Sequence, residues 1–105
     1  MCIRDSANDL LAMISTWQKA DISNNHFYDG DFRRALNSIK AKAIVMPGRT
    51  DLYFPPEDNE IEVALMPNAE LRPIESIWGH LAGGPGCNPV DSKFVDDALK
   101  EILAS

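Results

Sequence analysis

A chain of 105 residues with 45% hydrophobic and 25% charged side chains has one domain's worth of length and a modest core, and it is too apolar for a disordered segment. Its formal charge of −6 argues against a nucleic-acid partner, which would demand lysines and arginines to neutralise phosphates. Arg33 and Arg34 form its only adjacent basic pair. No apolar run is long enough to span a bilayer, and the N-terminus lacks the apolar core of a signal peptide. A cytoplasmic protein without a membrane partner is therefore expected. Cys2 and Cys87 stand alone, with no CxxC spacing and no histidine cluster. They make neither a disulfide scaffold nor a zinc site, and no metal site is expected.

The opening MCIRDS shares no periodicity with the residues after it and looks like translated adapter sequence, so residues 1–6 are read as a non-native leader. Over residues 8–19, Leu10, Ile14 and Trp17 recur at helical spacing as a packing stripe, with Ser6 or Asn8 as cap. Residues 20–30, ADISNNHFYDG, form a polar irregular connection, and His26 in it reads as an ordinary loop histidine. Asp31 then looks like the N-cap of a short helix whose apolar face is Phe32, Ala35, Leu36 and Ile39. After KAK at 40–42, the apolar run over 43–46 reads as a strand covered on both faces. Pro47 and Gly48 end it. Pro55 and Pro56 preset the first turn of the next helix, with Glu57 and Asp58 at its positive end. Ile61, Ala64 and Leu65 give that helix its inward stripe. A second strand is expected over 69–74, followed by SIWGH at 76–80 and the Gly- and Pro-rich HLAGGPGCNP at 80–89. The last helix is expected to start after Asp91 as cap. Val90 and Val95 would staple it, and Phe94, Val95, Ala98, Leu99 and Ile102 would form its buried face.

Strand, acidic turn, helix, strand and histidine turn make one right-handed βαβ crossover. Ligand sites in open parallel sheets lie beyond the carboxyl ends of strands, which places Asp51 and His80 toward one cleft. Taken singly, Asp51 is a turn residue. Taken with His80, it suggests the two triad members that orient the base and move the proton. Acid before histidine also matches the α/β-hydrolase chain order. The nucleophile is missing. No G-x-S-x-G occurs, and Ser15, Ser23, Ser38, Ser76 and Ser92 all lack a strand–nucleophile–helix context. Two strands leave an edge uncovered, so the chain reads as a portion of a larger sheet.

The stretches IKAKAIVMPGRTDLYFPPEDNE at 39–60 and MPNAELRPIESIWGHLAGGPG at 66–86, with the last helix, resemble the carboxyl-terminal part of the homoserine O-acetyltransferase-like branch of the α/β-hydrolase superfamily. The resemblance spans residues 8–105 and is carried most specifically by D-L-Y-F-P-P-E and W-G-H. It implies an α/β fold, namely the carboxyl-terminal βαβ-plus-helix portion of an α/β-hydrolase with an incomplete parallel sheet. Residues 7–38 would be the end of a helical lid and a return helix, and 39–105 the end of the core. Asp51 would be the triad acid and His80 the triad histidine. The implied activity is acyl transfer from acetyl-CoA, a co-substrate rather than a bound cofactor, to a small hydroxyl acceptor such as homoserine. The reaction would run through an acyl-serine and belong to methionine biosynthesis. Partners would be the small-molecule substrate, the missing amino-terminal portion of the same protein and, in the full-length parent, a second copy in a homodimer. Without a nucleophile the segment alone is expected to be inactive. Two alternatives stay open: a serine hydrolase of the same fold acting on an ester or related bond, and a non-enzymatic interaction module.

Overall fold

Four α-helices, two short strands and one 3₁₀ turn account for the regular structure of residues 6–104, the residues that the computed structural model describes. Of the proposed leader, residues 1–6, the first five lie outside them. Ser6 is within them and caps α1, Ala7–Gln18, through a reciprocal box. The Ser6 hydroxyl accepts the Asp9 amide at 3.2 Å while the Asp9 carboxylate accepts the Ser6 amide at 3.2 Å, satisfying two otherwise orphaned donors. The stripe on α1 does not pack as expected. Leu10, Ile14 and Trp17 are 44%, 48% and 50% exposed.

The described residues fall into two compact units, one running to Ala35 and one from Leu36. In the first, residues 19–31 are a succession of turns. Asp21 Oδ1 accepts the Ser23 hydroxyl at 2.6 Å and the Ser23 amide at 2.8 Å, and these bonds hold the Asp21 carboxyl below its usual range despite some burial. Asn25 Oδ1 accepts the Phe27 amide at 2.9 Å. Asp29 takes a positive φ of 50° before Gly30 at 80°, a reversal that aspartate and glycine tolerate best. Asp31 caps α2, Phe32–Asn37, by accepting the Arg34 amide at 2.9 Å, as its sequence position predicts.

The second unit holds the sheet. Strands β1, Ala43–Val45, and β2, Ala69–Leu71, pair in parallel with Ala43 opposite Ala69 and Val45 opposite Leu71. Helix α3, Pro56–Val63, connects them and packs on β2, while α4, Pro89–Leu103, packs on β1. Pro56 stands at the first helical position of α3, where a missing N–H costs nothing. The ladder continues past both strands. The Arg72 amide donates to the Val45 carbonyl at 2.8 Å, Ile74 to Pro47 at 2.8 Å and Arg49 to Ile74 at 2.9 Å. Thr50 and Asp51 therefore come directly after the last sheet bond. Arg72 also ties β2 to α4, donating to Glu70 and Glu101.

Leu36, Ile74 and Ala98 are buried apolar side chains of this unit, 6%, 4% and 4% exposed. Residues 43–46 are only half-buried, because among the described residues the sheet has two strands. A concavity of about 250 Å³ beside β1 is lined by Ile44, Met46, Val95, Ala98, Leu99 and Ile102. Ile61 on α3 is exposed rather than inward. The start of α4 also departs from expectation. Asn88 is its N-cap, accepting the Val90 amide at 3.0 Å, and Pro89 opens the helix. Asp91 lies in the first turn, buried, and Val90 is exposed, so no Val90–Val95 staple forms.

Candidate active site

Two turns meet beyond the carboxyl ends of β1 and β2. The first, residues 48–54, curls back as the Asp51 amide donates to the Gly48 carbonyl at 3.0 Å. Asp51 Oδ1 accepts the Tyr53 amide at 2.8 Å and the Phe54 amide at 3.1 Å. An aspartate bonded to amides two and three residues ahead is a stable local turn, and it leaves the second oxygen free to face outward. The second turn carries His80 on a single 3₁₀ turn, Gly79–Leu81. Gly79 sits at φ 53°, a left-handed conformation that glycine adopts without strain.

Asp51 Oδ2 and His80 Nδ1 are 3.0 Å apart. Burial pushes the Asp51 carboxyl upward, but the Tyr53 amide, the His80 ring and the Phe54 amide outweigh it, and the group ends below its usual range. An ionised carboxylate only accepts, so the shared proton resides on Nδ1. That leaves Nε2 as the basic nitrogen, and among the described residues nothing hydrogen-bonds to it. The Asp51 side chain is 8% exposed against 54% for His80: the anchor is sheltered and the working face is open. Tyr53 and Phe54 flank the imidazole with ring centroids at 5.0 and 5.3 Å. Such a ring can take up a proton and return it while the carboxylate fixes its tautomer.

The two turns touch through backbone as well. A β-carbon built on Gly48 would lie 2.5 Å from the Gly79 carbonyl oxygen and 3.1 Å from the Ala82 β-carbon. Thr50 Oγ1 donates to the Ser76 carbonyl at 2.9 Å and accepts the Gly79 amide at 3.2 Å. Ser76 Oγ donates to Asp91 at 2.6 Å, so its hydroxyl is committed away from the histidine and is not poised as a nucleophile. Sequence reasoning left Thr50 and Asp91 out of the site. A threonine directly before the acid, in the turn after a strand, was the available signal. Among the described residues no group of three or more histidine, cysteine, aspartate or glutamate side chains can hold a metal ion. No described helix is long and apolar enough to cross a membrane.

No family model matches the chain. Individual proteins do. It is 42% identical over 93% of its length to an ethyl acetate hydrolase of Pseudomonas veronii. Among solved structures it superposes on the acetyl esterase MekB with a TM-score of 0.80 and 41% identity over 93% of the chain. An acetylester hydrolase from Corynebacterium glutamicum gives 0.81 and 40% over 96%. The chain spans only about a quarter of each of these proteins, 27–28%. The fold is thus the βαβ-plus-helix portion of an α/β-hydrolase, with an incomplete parallel sheet.

These likenesses correct the expected branch. A homoserine O-acetyltransferase of Chloroherpeton thalassium is 31% identical over 73% of the chain, lower in both respects than the esterases. The homoserine O-acetyltransferase assignment, acyl transfer from acetyl-CoA to homoserine, the acetyl-CoA co-substrate and the link to methionine biosynthesis are set aside accordingly. The residues that carried the resemblance shape the acid and histidine turns. Both kinds of enzyme need those turns, so the motifs do not distinguish water from homoserine as acceptor.

Proposed function

We propose that this segment supplies the acid and the histidine of a serine ester hydrolase that acts on small acetyl esters, with water as the acceptor. The hydrogen bond between Asp51 and His80, with Nε2 left open, carries the reading. The likeness to an ethyl acetate hydrolase and to acetyl esterases supports esters as the substrate class. In the proposed cycle a serine outside these 105 residues gives its proton to His80 Nε2 as its Oγ attacks the ester carbonyl carbon. Asp51 stabilises the imidazolium that forms. The proton passes to the departing alkoxide, which leaves as an alcohol, and an acyl-serine remains. Water, deprotonated by the same nitrogen, attacks the acyl carbon. The bond to serine breaks, the serine oxygen recovers the proton, and a carboxylic acid is released.

The test uses the complete enzyme that contains this segment. Hydrolysis of ethyl acetate and of p-nitrophenyl acetate is followed, with acetate and alcohol appearing in equal amounts. His80→Ala lowers kcat by about 10⁶-fold and Asp51→Asn by about 10⁴-fold, the scales on which losing the triad histidine and the triad acid act. An H80A enzyme within tenfold of the parent rate would overturn the assignment.

A further inference from the structure

The hydrogen bond between Asp51 and His80 does not by itself determine where the imidazole stands. The His80 side chain is 54% exposed, and a ring that free can keep one bond while swinging about it. Something else must hold the turn that carries it. Three polar side chains from three elements converge on that turn, and neither Asp51 nor His80 is among them. Thr50, on the acid turn, grips both ends of the segment before the histidine. Its hydroxyl donates to the Ser76 carbonyl at 2.9 Å and accepts the Gly79 amide at 3.2 Å. Ser76 is itself anchored. Its hydroxyl accepts the Trp78 amide at 3.2 Å and donates at 2.6 Å to Asp91, a carboxylate 4% exposed in the first turn of α4. A carboxylate there is also favoured by the positive end of the helix.

We propose that Thr50 is a positioning residue of the site, its hydroxyl holding the Gly79 peptide so that the next residue presents its imidazole to Asp51, with Ser76 and Asp91 fixing the far side of the clamp. This rests on the hydrolase reading of Asp51 and His80. The two bonds of the Thr50 hydroxyl are exposed and neutral, and such bonds add little to stability. Its consequence lies in geometry, where displacements of about 1 Å cost up to about 10²-fold in rate.

Thr50→Val keeps the branched shape and removes both hydrogen-bonding functions, whereas Thr50→Ser keeps the hydroxyl. In the complete enzyme T50V is expected to lower kcat about 10- to 100-fold with KM nearly unchanged, and T50S to restore most of the rate. The low-field NMR resonance of the His80 Nδ1 proton, sharp in the parent and in T50S, should weaken or vanish in T50V. Equal kcat and equal resonances in T50V and the parent would overturn the proposal. So would a T50S enzyme as impaired as T50V. An active H80A enzyme would instead sink the hydrolase reading, while the resonance would still decide whether the Thr50 hydroxyl holds the imidazole.

Discussion

Replacing Gly48 by alanine tests whether the site is set by the close approach of its two turns. The added β-carbon would sit 2.5 Å from the Gly79 carbonyl oxygen, where ordinary contact begins at 3.4 Å. The turns must therefore part by about 0.9 Å, the difference between those two distances. The atom that has to yield is backbone, in the residue directly before His80. A shift of that size would stretch the 3.0 Å bond between Asp51 and His80 beyond hydrogen-bonding range. Overpacking of this kind costs about 1–3 kcal/mol, which a complete enzyme survives folded. The rate should suffer more than the fold, with kcat for ethyl acetate falling about 10²-fold at a KM within a factor of about two. Steady-state kinetics on G48A, with circular dichroism to show that the protein is folded, reads this directly. A G48A enzyme with the parent kcat would refute the claim that close contact between the turns sets the acid–histidine distance.

The depressed pKa of Asp51 makes part of the stability depend on pH. The folded state binds the Asp51 proton less tightly than the unfolded chain, so the contribution is fully present above the ordinary aspartate value of 3.8. It is lost as pH falls through the lower folded-state value. Denaturant titrations should show the stability gap between the parent and D51N narrowing as pH falls below 3.8; a gap that widens there would contradict it. Ile74 is 4% exposed and is bonded through its amide to Pro47 and through its carbonyl to Arg49, where the acid turn begins. Ile74→Ala should cost about 2–5 kcal/mol, read as a lower denaturant midpoint at unchanged slope. A loss under about 1 kcal/mol would mean the position can collapse around the missing atoms.

The order of elements was legible because it is written in strong local signals. An unbroken apolar run marks β1, paired prolines open α3, and glycine and proline crowd the histidine loop. The meeting of the two turns came from topology, since parallel neighbours place the ends of both strands on one side. The features that stayed hidden depend on groups distant in sequence. Asp91 looks like a helix cap, but Ser76, fifteen residues earlier, engages its carboxylate and Asn88 takes the cap. The stripes on α1 and α3 have helical spacing, yet Leu10 and Ile61 are exposed, because periodicity reports which side chains share a face and not what covers it. The choice between ester hydrolysis and acyl transfer was illegible for a chemical reason. As acid and base of a triad, Asp51 and His80 would move the same proton in both, and the acceptor would be selected by groups that bind it rather than by the pair.

The outer edge of β1 bears on how the acid behaves. Among the described residues only β2 pairs with it, so the N–H and C=O groups on its far side can accept another strand. Because Asp51 follows β1 by a short turn, a strand paired along that edge would bear on the backbone from which the acid hangs. A substitution in such a neighbour would then reach the 3.0 Å contact between carboxylate and imidazole from outside either turn, so that geometry could be adjusted by editing a ladder instead of a pocket.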